Sequence, residues 1–201
     1  MFYSEKEAEN FLEKNGFVVI KRGYANNEKG LENALKGFKF PLVMKVSGKN
    51  IVHKNSLGGI ILNIQDIEKA KKAFVQLSRI YGFEGVVIQE QGKGKEVLVG
   101  IKKTSDFGHA VCIGAGGVNT EKLKDVSFRI FPFDKKEAEK MISETRVSRK
   151  LNKEEKDAVV KNLLKICELI KNYSNISELD VNPLMVNKKQ AVVVDARIVF
   201  E

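Results

Sequence analysis

The last part of the chain limits the possible folds more than any other, because two extended stretches joined by a short polar turn predict a β-hairpin over residues 176–199. Side chains with oxygen atoms occupy every second position of its first strand: Glu178, Asp180 and Asn182. Successive residues of a strand point to opposite faces, so these three share one face, while Leu179 and Val181 share the other. Such a hairpin predicts a sheet with one packed face and one polar face.

The second strand of the hairpin contains an acid within an otherwise apolar run, Asp195. Burying a carboxylate is unfavourable unless a positive charge compensates it. Asp180, Asn182 and Asp195 offer the hard oxygen ligands that suit Mg²⁺ beside nucleotide phosphates. The same pattern also fits a structural ion pair of Asp195 with Arg197 or a lysine, so the residues alone leave both interpretations open.

The net charge of +9 also requires an explanation. A basic surface suits a polyanionic small molecule such as ATP or coenzyme A, and it also suits a nucleic acid. The lysines are spread over the whole chain, without a dense block or interleaved aromatic residues, which argues against a nucleic-acid tract. We therefore expect no nucleic-acid partner, and the motifs must identify the ligand.

The sequence carries no signal for a membrane or for secretion. No apolar run approaches the ~20 residues that span a bilayer, and the first residues lack the basic and then apolar pattern of a signal peptide. Cys112 and Cys167 lie far apart in apolar surroundings, which favours buried free thiols over a disulfide. We expect a cytoplasmic protein without a membrane contact.

Strand-like and helix-like segments are mixed along the chain rather than strictly alternating. Apolar residues at helical spacing predict helices near 67–81, 134–145 and 153–172, with strands between them. A chain of 201 residues with 43% hydrophobic content is long enough for one large domain, or two interlocked subdomains, with a real core. The pattern predicts an α+β (mixed α/β) fold.

Three further features have side chains or backbone groups that suit phosphate. Gly114–Gly117 follow a strand and precede Arg129; glycines let backbone N–H groups approach phosphate and a guanidinium binds it in a bidentate manner, although a glycine cluster alone is more often a plain turn. Lys45 interrupts an apolar strand, where it either extends to solvent or reaches phosphate. His53 lies on a polar loop; such a histidine is usually a surface residue, but it can also be an acid, a base or a phosphate-carrying nucleophile.

Taken in order, these motifs resemble those of one family. The chain is similar to the ATP-grasp (beta) subunit of ADP-forming acetate–CoA ligases and, more distantly, to the nucleotide-binding part of succinyl-CoA synthetases. The resemblance covers essentially the whole chain and is carried by Lys45, His53-Lys54, Gly58-Gly59, Gln89-Glu90, Glu96-Val97, Gly116-Gly117, Val126-Ser127-Phe128-Arg129, Glu178–Leu184 and Val194–Arg197. It implies an ATP-grasp fold over 1–201, with approximate subdomains 1–88 and 89–201 that hold a nucleotide between two sheets.

The resemblance implies roles for residues that bind the nucleotide. Lys45 would contact the phosphates of ATP or ADP, and Glu96 would lie on the ribose side. A hinge segment would read adenine through its backbone groups: Gln89, Glu90 and Gln91.

The resemblance also implies which residues would lie near the phosphoryl group that is transferred. Three residues would approach the transferring group: Gly116, Gly117 and Arg129. Asn182 and Asp195 would ligate Mg²⁺, with Asp180 beside them. Phosphoryl transfer needs mainly in-line positioning and neutralisation of oxygen charge, which the metal ion and the basic residues would supply.

The activity implied is that of an acid–thiol ligase that works only with a second subunit. In this family a CoA-binding alpha subunit forms an acyl phosphate and passes the phosphoryl group through a histidine; His53 matches a second histidine that accepts phosphate in the relay. The net reaction would be acyl-CoA + ADP + phosphate ⇌ carboxylic acid + CoA + ATP, in a hetero-oligomer such as α2β2. The alternative is a non-catalytic regulatory module that keeps the ATP-grasp fold and senses nucleotide.

Overall fold

The computed structural model describes residues 1–48, 51, 54, 57–117 and 125–201. The predicted α+β class is confirmed, and the predicted helices correspond to α3, α4 and α5 below. In chain order the elements are β1 (Phe2–Tyr3), α1 (Glu5–Lys14), β2 (Arg22–Ala25), α2 (Glu28–Leu35), β3 (Leu42–Ser47), β4 (Ile60–Ile64), α3 (Ile67–Ser78), β5 (Gly85–Glu90), β6 (Lys95–Thr104), β7 (Gly108–Ala115), β8 (Val126–Ile130), α4 (Lys135–Ser143), a 3-10 helix (Arg146–Lys150), α5 (Lys153–Asn172), β9 (Ile176–Val186), β10 (Ala191–Val193) and β11 (Ala196–Phe200).

The chain folds as two compact units, a larger one of Met1–Val19 with Gly92–Glu201 and a smaller one of Ile20–Gln91. These units differ from the approximate subdomains 1–88 and 89–201 in the placement of the first 19 residues. That segment joins the larger unit because β1 pairs antiparallel with β11, and because Phe11 of α1 packs edge-on against Phe200.

Local sequence signals decide where the helices begin. Ser4 caps α1, and its side chain and that of Glu7 bond reciprocally to each other's backbone N–H groups, which is a capping box. Asn152 and Glu155 form the same arrangement at the start of α5. In the part of the chain that the structure describes, no helix combines the length and the apolar character needed to cross a membrane.

The larger unit contains a seven-stranded antiparallel sheet in the order β1-β11-β9-β6-β7-β8, with β10 also paired to β9. The predicted hairpin is present as β9 and its partners, but the partner strand is divided into β10 and β11 because the chain bends at Asp195. Helices α1, α4 and α5 bury their apolar side chains against one face of this sheet.

Two neighbouring cross-strand rows define the faces of the sheet, since directly paired residues of antiparallel strands point to the same side. We call one side the helix-packed face, whose row consists of Ile198, Leu179, Ile101, Val111 and Arg129. We call the other the outer face, whose row consists of Arg197, Asp180, Gly100, Cys112 and Phe128. Within the first row the aliphatic residues are at most 4% exposed, so this side forms the core.

The smaller unit has a four-stranded antiparallel sheet in the order β2-β5-β3-β4. Helices α2 and α3 cover one face, where Leu31, Leu77 and Met44 are fully buried. The opposite face carries Val43 and Lys45 of β3 together with their cross-strand partners Gln89 and Val87 of β5. A polar pair therefore lies on the side of this sheet away from its helices.

Candidate functional site

Three predicted site residues meet at one end of the outer face. The N–H of Gly117 donates to Oδ1 of Asn182 over 2.8 Å, and the N–H of Asn182 donates to the carbonyl of Asp195 over 3.2 Å. Strand β9 thus connects the end of the glycine run to the bend between β10 and β11. Asn182 and Asp195 are both half-buried, so their oxygen atoms are sheltered but accessible.

Asp180 lies on the same face, two residues before Asn182, and opposite Arg197 of β11. Burial among the surrounding strands raises the pKa of the Asp180 carboxyl, the nearby Asp195 carboxylate raises it further, and the Arg197 guanidinium opposes both. Asp180 nevertheless retains exposed surface. Two carboxylates therefore lie close enough to repel each other at the edge of the outer face.

The glycine run approaches β6 more closely than any other residue type would allow. The N–H of Gly116 donates to the carbonyl of Glu96 over 3.1 Å, and a Cβ at this position would lie 2.7 Å from the backbone of Val97. Gly117 has φ +88°, and a Cβ there would lie 2.0 Å from Oε2 of Glu96. Glycine is required at both positions, and the Glu96 carboxylate lies directly beside the run.

The side chains at this end of the outer face fit a hard divalent cation. Two carboxylates and one amide oxygen are the donor types that Mg²⁺ prefers, and a cation would relieve the repulsion between Asp180 and Asp195. Asn182 Oδ1 accepts one hydrogen bond and retains a second lone pair. Within the described residues no group of three or more His, Cys, Asp or Glu side chains is placed to hold a metal ion.

The structure does not bring Arg129 together with these residues. Arg129 pairs with Val111 on the helix-packed face, opposite to the face of Asp180 and Asn182. Its Nε donates to Glu137 over 2.7 Å, and its two terminal nitrogens bond Glu144 over 2.7 and 3.0 Å. The guanidinium therefore connects β8 to α4.

The charges of Arg129, Glu137 and Glu144 neutralise one another in two salt bridges. Hydrogen bonds from Arg129, and then from the Ser127 hydroxyl, lower the pKa of Glu144 to about 2. The two glutamates in turn raise the pKa of Arg129 above its already high ordinary value. Glu144 therefore remains ionised at neutral pH, and the two glutamates hold the Arg129 guanidinium at the junction between β8 and α4.

The smaller unit positions Lys45 and Gln89, the predicted contacts for phosphates and adenine. Lys45 is 3% exposed and Gln89 is fully buried, on strands that are directly paired. Both lie on the face away from α2 and α3. Both side chains are thus buried on a sheet face that the helices of this unit do not cover.

The other two hinge residues form structural hydrogen bonds. Glu90 Oε1 accepts the N–H of Lys39 over 3.1 Å. The N–H of Gln91 donates to the carbonyl of Pro41 over 3.0 Å, and its side-chain oxygen accepts the N–H of Asn63 over 2.9 Å. A backbone contact between Gln91 and adenine would therefore use its carbonyl rather than its N–H group.

His53 lies outside the described residues. Of the residues near it in sequence, Ile51 is 8% exposed and belongs to the core of the smaller unit. The N–H of Gly59 donates to the carbonyl of Lys54 over 2.7 Å.

The structure draws attention to Arg197, which the sequence pattern suggested only as a possible ion-pair partner of Asp195. It belongs to the motif around Asp195, but only the strand register places it directly opposite Asp180 on the outer face. Its guanidinium lies 5.1 Å from the ring centre of Phe2, and the residue is exposed. Because the chain bends at Asp195, the period of two along a strand could not have placed Arg197 on this face.

Fold and site together define a nucleotide-binding class of protein. The model of the ATP-grasp domain matches residues 2–200, and the chain belongs to this family. This result confirms the fold expected from the motif order.

Named relatives make the relationship more specific. The chain is 42% identical to the ADP-forming acetate–CoA ligase II of Archaeoglobus fulgidus, covering 99% of this chain and 30% of that protein. It is 36% identical to subunit beta of the ADP-forming acetate–CoA ligase II of Pyrococcus furiosus, covering 98% of this chain and 91% of the subunit. The chain therefore spans less than a third of the first relative and nearly all of the second. The predicted family resemblance is confirmed.

A solved structure shares the fold over the whole chain. The dinucleotide-forming acetyl-coenzyme A synthetase 1 of Candidatus Korarchaeum cryptofilum, in complex with coenzyme A and Ca-AMPCP, superposes with a TM-score of 0.91 at 29% identity, covering 100% of this chain and 93% of that one. A second structure of that enzyme, with coenzyme A and Mg-AMPPCP, has its phosphohistidine segment pointing towards the nucleotide-binding site and gives a TM-score of 0.83.

Proposed function

We propose that this chain is the nucleotide-binding subunit of an ADP-forming acyl-CoA synthetase, an acid–thiol ligase of the acetate–CoA ligase type. The similarity to a beta subunit of nearly the same length supports this assignment. The structural observation that carries it is the contact of Gly117 with Asn182, and of Asn182 with Asp195, at one end of the outer face. Flexible glycine backbone and hard oxygen ligands meet there, as a metal-bound polyphosphate requires.

The metal proposed for this site is Mg²⁺, held by Asn182 and Asp195 with Asp180 beside them; when bound, it supplies positive charge to the phosphate oxygens. The backbone of Gly116 and Gly117 approaches the phosphoryl group, since both glycines leave room that a side chain would fill. Arg129 has no part in this proposal, because its charge is neutralised on the other side of the sheet.

The remaining nucleotide contacts are assigned to the smaller unit and to β6. Lys45 binds phosphate oxygens, and Glu96, which is exposed beside Gly117, faces the ribose. The backbone from Gln89 to Gln91 reads adenine, with the N–H of Gln91 already engaged by Pro41. ATP and ADP are the nucleotides exchanged.

The proposed reaction is acyl-CoA + ADP + phosphate ⇌ carboxylic acid + CoA + ATP. In it a ring nitrogen of His53 accepts the phosphoryl group from the phosphohistidine of the alpha subunit, so one P–N bond breaks as another forms. His53 then releases the group to the terminal oxygen of ADP, so that P–N bond breaks as one P–O bond forms. A CoA-binding alpha subunit supplies the acyl phosphate, and an α2β2 hetero-oligomer is the expected assembly. Alone, the chain should bind nucleotide without making acyl-CoA.

The test is titration calorimetry of the isolated chain with Mg-ADP. Asp195→Ala should weaken binding by at least about 100-fold, because loss of a direct metal ligand exceeds the 10- to 100-fold effect typical of its outer-shell partners. Asp134→Ala is the matched control: Asp134 caps α4 through the N–H of Glu137, so its loss should lower stability by about 0.5–2 kcal/mol and leave nucleotide affinity within about two-fold.

Equal affinity of the wild type and Asp195→Ala would contradict the metal assignment. The relay has its own test, in which the chain is incubated with its alpha subunit and radioactive phosphate in the presence of acetyl-CoA. Acid-labile label on the wild type that is absent from His53→Ala supports the enzyme. No label on the chain would favour the nucleotide-sensing regulatory module.

A further inference from the structure

Two arginines, Arg129 and Arg197, lie at the ends of neighbouring cross-strand rows of the seven-stranded sheet. They differ in whether carboxylates neutralise their charge. Arg129 is held by two glutamates on the helix-packed face, with its side chain 20% exposed. Arg197 lies on the outer face, directly opposite Asp180. Only the second is on the side of the candidate metal ligands.

Arg197 carries a charge that no salt bridge neutralises among the residues that the structure describes. It makes a cation–π contact instead, with its Cζ atom 5.1 Å from the centre of the Phe2 ring. A second basic residue of the outer face, Lys102, is paired with Glu178 of β9. The guanidinium therefore lies near the Phe2 ring, and no salt bridge to a described residue occupies its hydrogen-bond donors.

Arg197 is placed where it could contact an anionic ligand bound beside the neighbouring acids. Asp180 and Asp195 are proposed to bind Mg²⁺ together with Asn182, and a metal-bound polyphosphate brings excess negative charge to the same edge of the sheet. A planar guanidinium with five donors recognises phosphoryl oxygens in a bidentate manner. A cation one cross-strand step from the metal ligands is placed to receive the oxygen atoms that the metal does not hold.

We propose that Arg197 binds the terminal phosphoryl group of the nucleoside triphosphate, the role that the sequence resemblance implied for Arg129. This inference rests on the proposed function of the outer face. The two arginines would then have different roles: Arg197 binds the ligand, and Arg129 links β8 to α4.

The experiment compares Mg-ADP with Mg-AMPPCP, a non-hydrolysable triphosphate, in titrations of the full chain. Arg197→Gln should weaken Mg-AMPPCP by about 10- to 100-fold, as expected for a lost hydrogen-bonded contact between charged groups, and should leave Mg-ADP within about two-fold. Arg197→Lys keeps the charge but lacks the planar fork, so it should recover part of the loss.

Two matched controls remove one positive charge elsewhere: Lys102→Gln on the outer face, and Arg129→Gln on the helix-packed face. Neither should change the ratio of the two affinities. Circular dichroism confirms folding of each variant, and Arg197→Lys provides the comparison if Arg197→Gln does not fold.

Equal binding of Mg-AMPPCP by wild type and Arg197→Gln would overturn the inference, as would an equal loss for both nucleotides. A larger effect of Arg129→Gln on Mg-AMPPCP than on Mg-ADP would return the role to Arg129. Failure of the wild type to bind either nucleotide would instead contradict the proposed function itself.

Discussion

The two faces of the seven-stranded sheet use the same strands for different purposes. On the helix-packed face Leu179 and Val111 are at most 2% exposed, and Arg129 is neutralised by two glutamates. On the outer face, one residue further along the same strands, Asp180 and Cys112 keep accessible surface. Arg129 on the first face is neutralised within the protein, whereas Arg197 on the second face forms no salt bridge with the residues that the structure describes.

This contrast explains why neighbouring residues need not share a function. Leu179 and Asp180 are adjacent in β9, and Phe128 and Arg129 are adjacent in β8, yet each pair is divided between core and surface. A sheet covered by helices on one side can fix the position of ligand groups on the other, because its packed rows are rigid. The following predictions test that division, from the largest expected effect to the smallest.

Leu179→Ala should lower the free energy of unfolding by about 2–5 kcal/mol, because it opens a cavity in a row that is buried from end to end. The neighbouring substitution Asp180→Asn should change it by about 0.5 kcal/mol or less, since it alters an accessible group at nearly constant volume. Urea unfolding of both variants measures the difference. A larger effect at Asp180 would contradict the division of the two faces.

Gly117→Ala should weaken Mg-ADP binding by about tenfold or more, because the new Cβ would lie 2.0 Å from Oε2 of Glu96 and would push away the carboxylate proposed to face the ribose. Gly108→Ala is the matched control. It also has positive φ, +69°, but its Cβ would meet nothing within 4 Å. The backbone strain of about 1–2 kcal/mol should be similar in both, so calorimetry should show an affinity loss for Gly117→Ala alone.

Arg129→Gln should lower the free energy of unfolding by about 1–2 kcal/mol, the range for charged hydrogen bonds reduced for partial exposure. Its affinity for Mg-ADP should stay within about two-fold of the wild type. Thermal unfolding and calorimetry on the same preparation test both statements. A variant of unchanged stability that has lost nucleotide binding would contradict the structural role.

The smallest effect is a pH dependence. The pKa of Glu144 is lowered from its ordinary 4.5 to about 2 in the folded protein, so the unfolded chain binds more protons between these values. The stabilisation is therefore present above pH 4.5 and is lost as the pH falls towards 2. Glu144→Gln and Arg129→Gln should both flatten the decline of Tm in this window. A decline as steep as that of the wild type would show that other carboxyl groups dominate.

The position of Arg129 could not have been obtained from local sequence pattern. The alternation of β8 suggests that Val126, Phe128 and Ile130 point to the core, but Phe128 is 59% exposed and Ile130 is 46% exposed, while Ser127 is 6% exposed. The orientation is reversed because Glu144 at the end of α4 accepts hydrogen bonds from Ser127 and Arg129. A contact between elements distant in sequence decided which side of the strand is buried.

The sequence by itself determined the local features of this protein. Capping residues set the starts of α1 and α5, and the period of two in β9 placed Asp180 and Asn182 on one face and Leu179 on the other. Motif order also identified the ATP-grasp family. These features depend on backbone geometry over a few residues, which side-chain chemistry and spacing specify directly.

Only the tertiary structure decided how strands distant in the chain are paired. Register placed Arg197 opposite Asp180, bent the hairpin partner at Asp195, and joined Met1–Val19 to the unit that contains β11. The physical reason is that one strand can pair with several others at similar local energy, and the choice is made by the burial of complete rows and the neutralisation of buried charge.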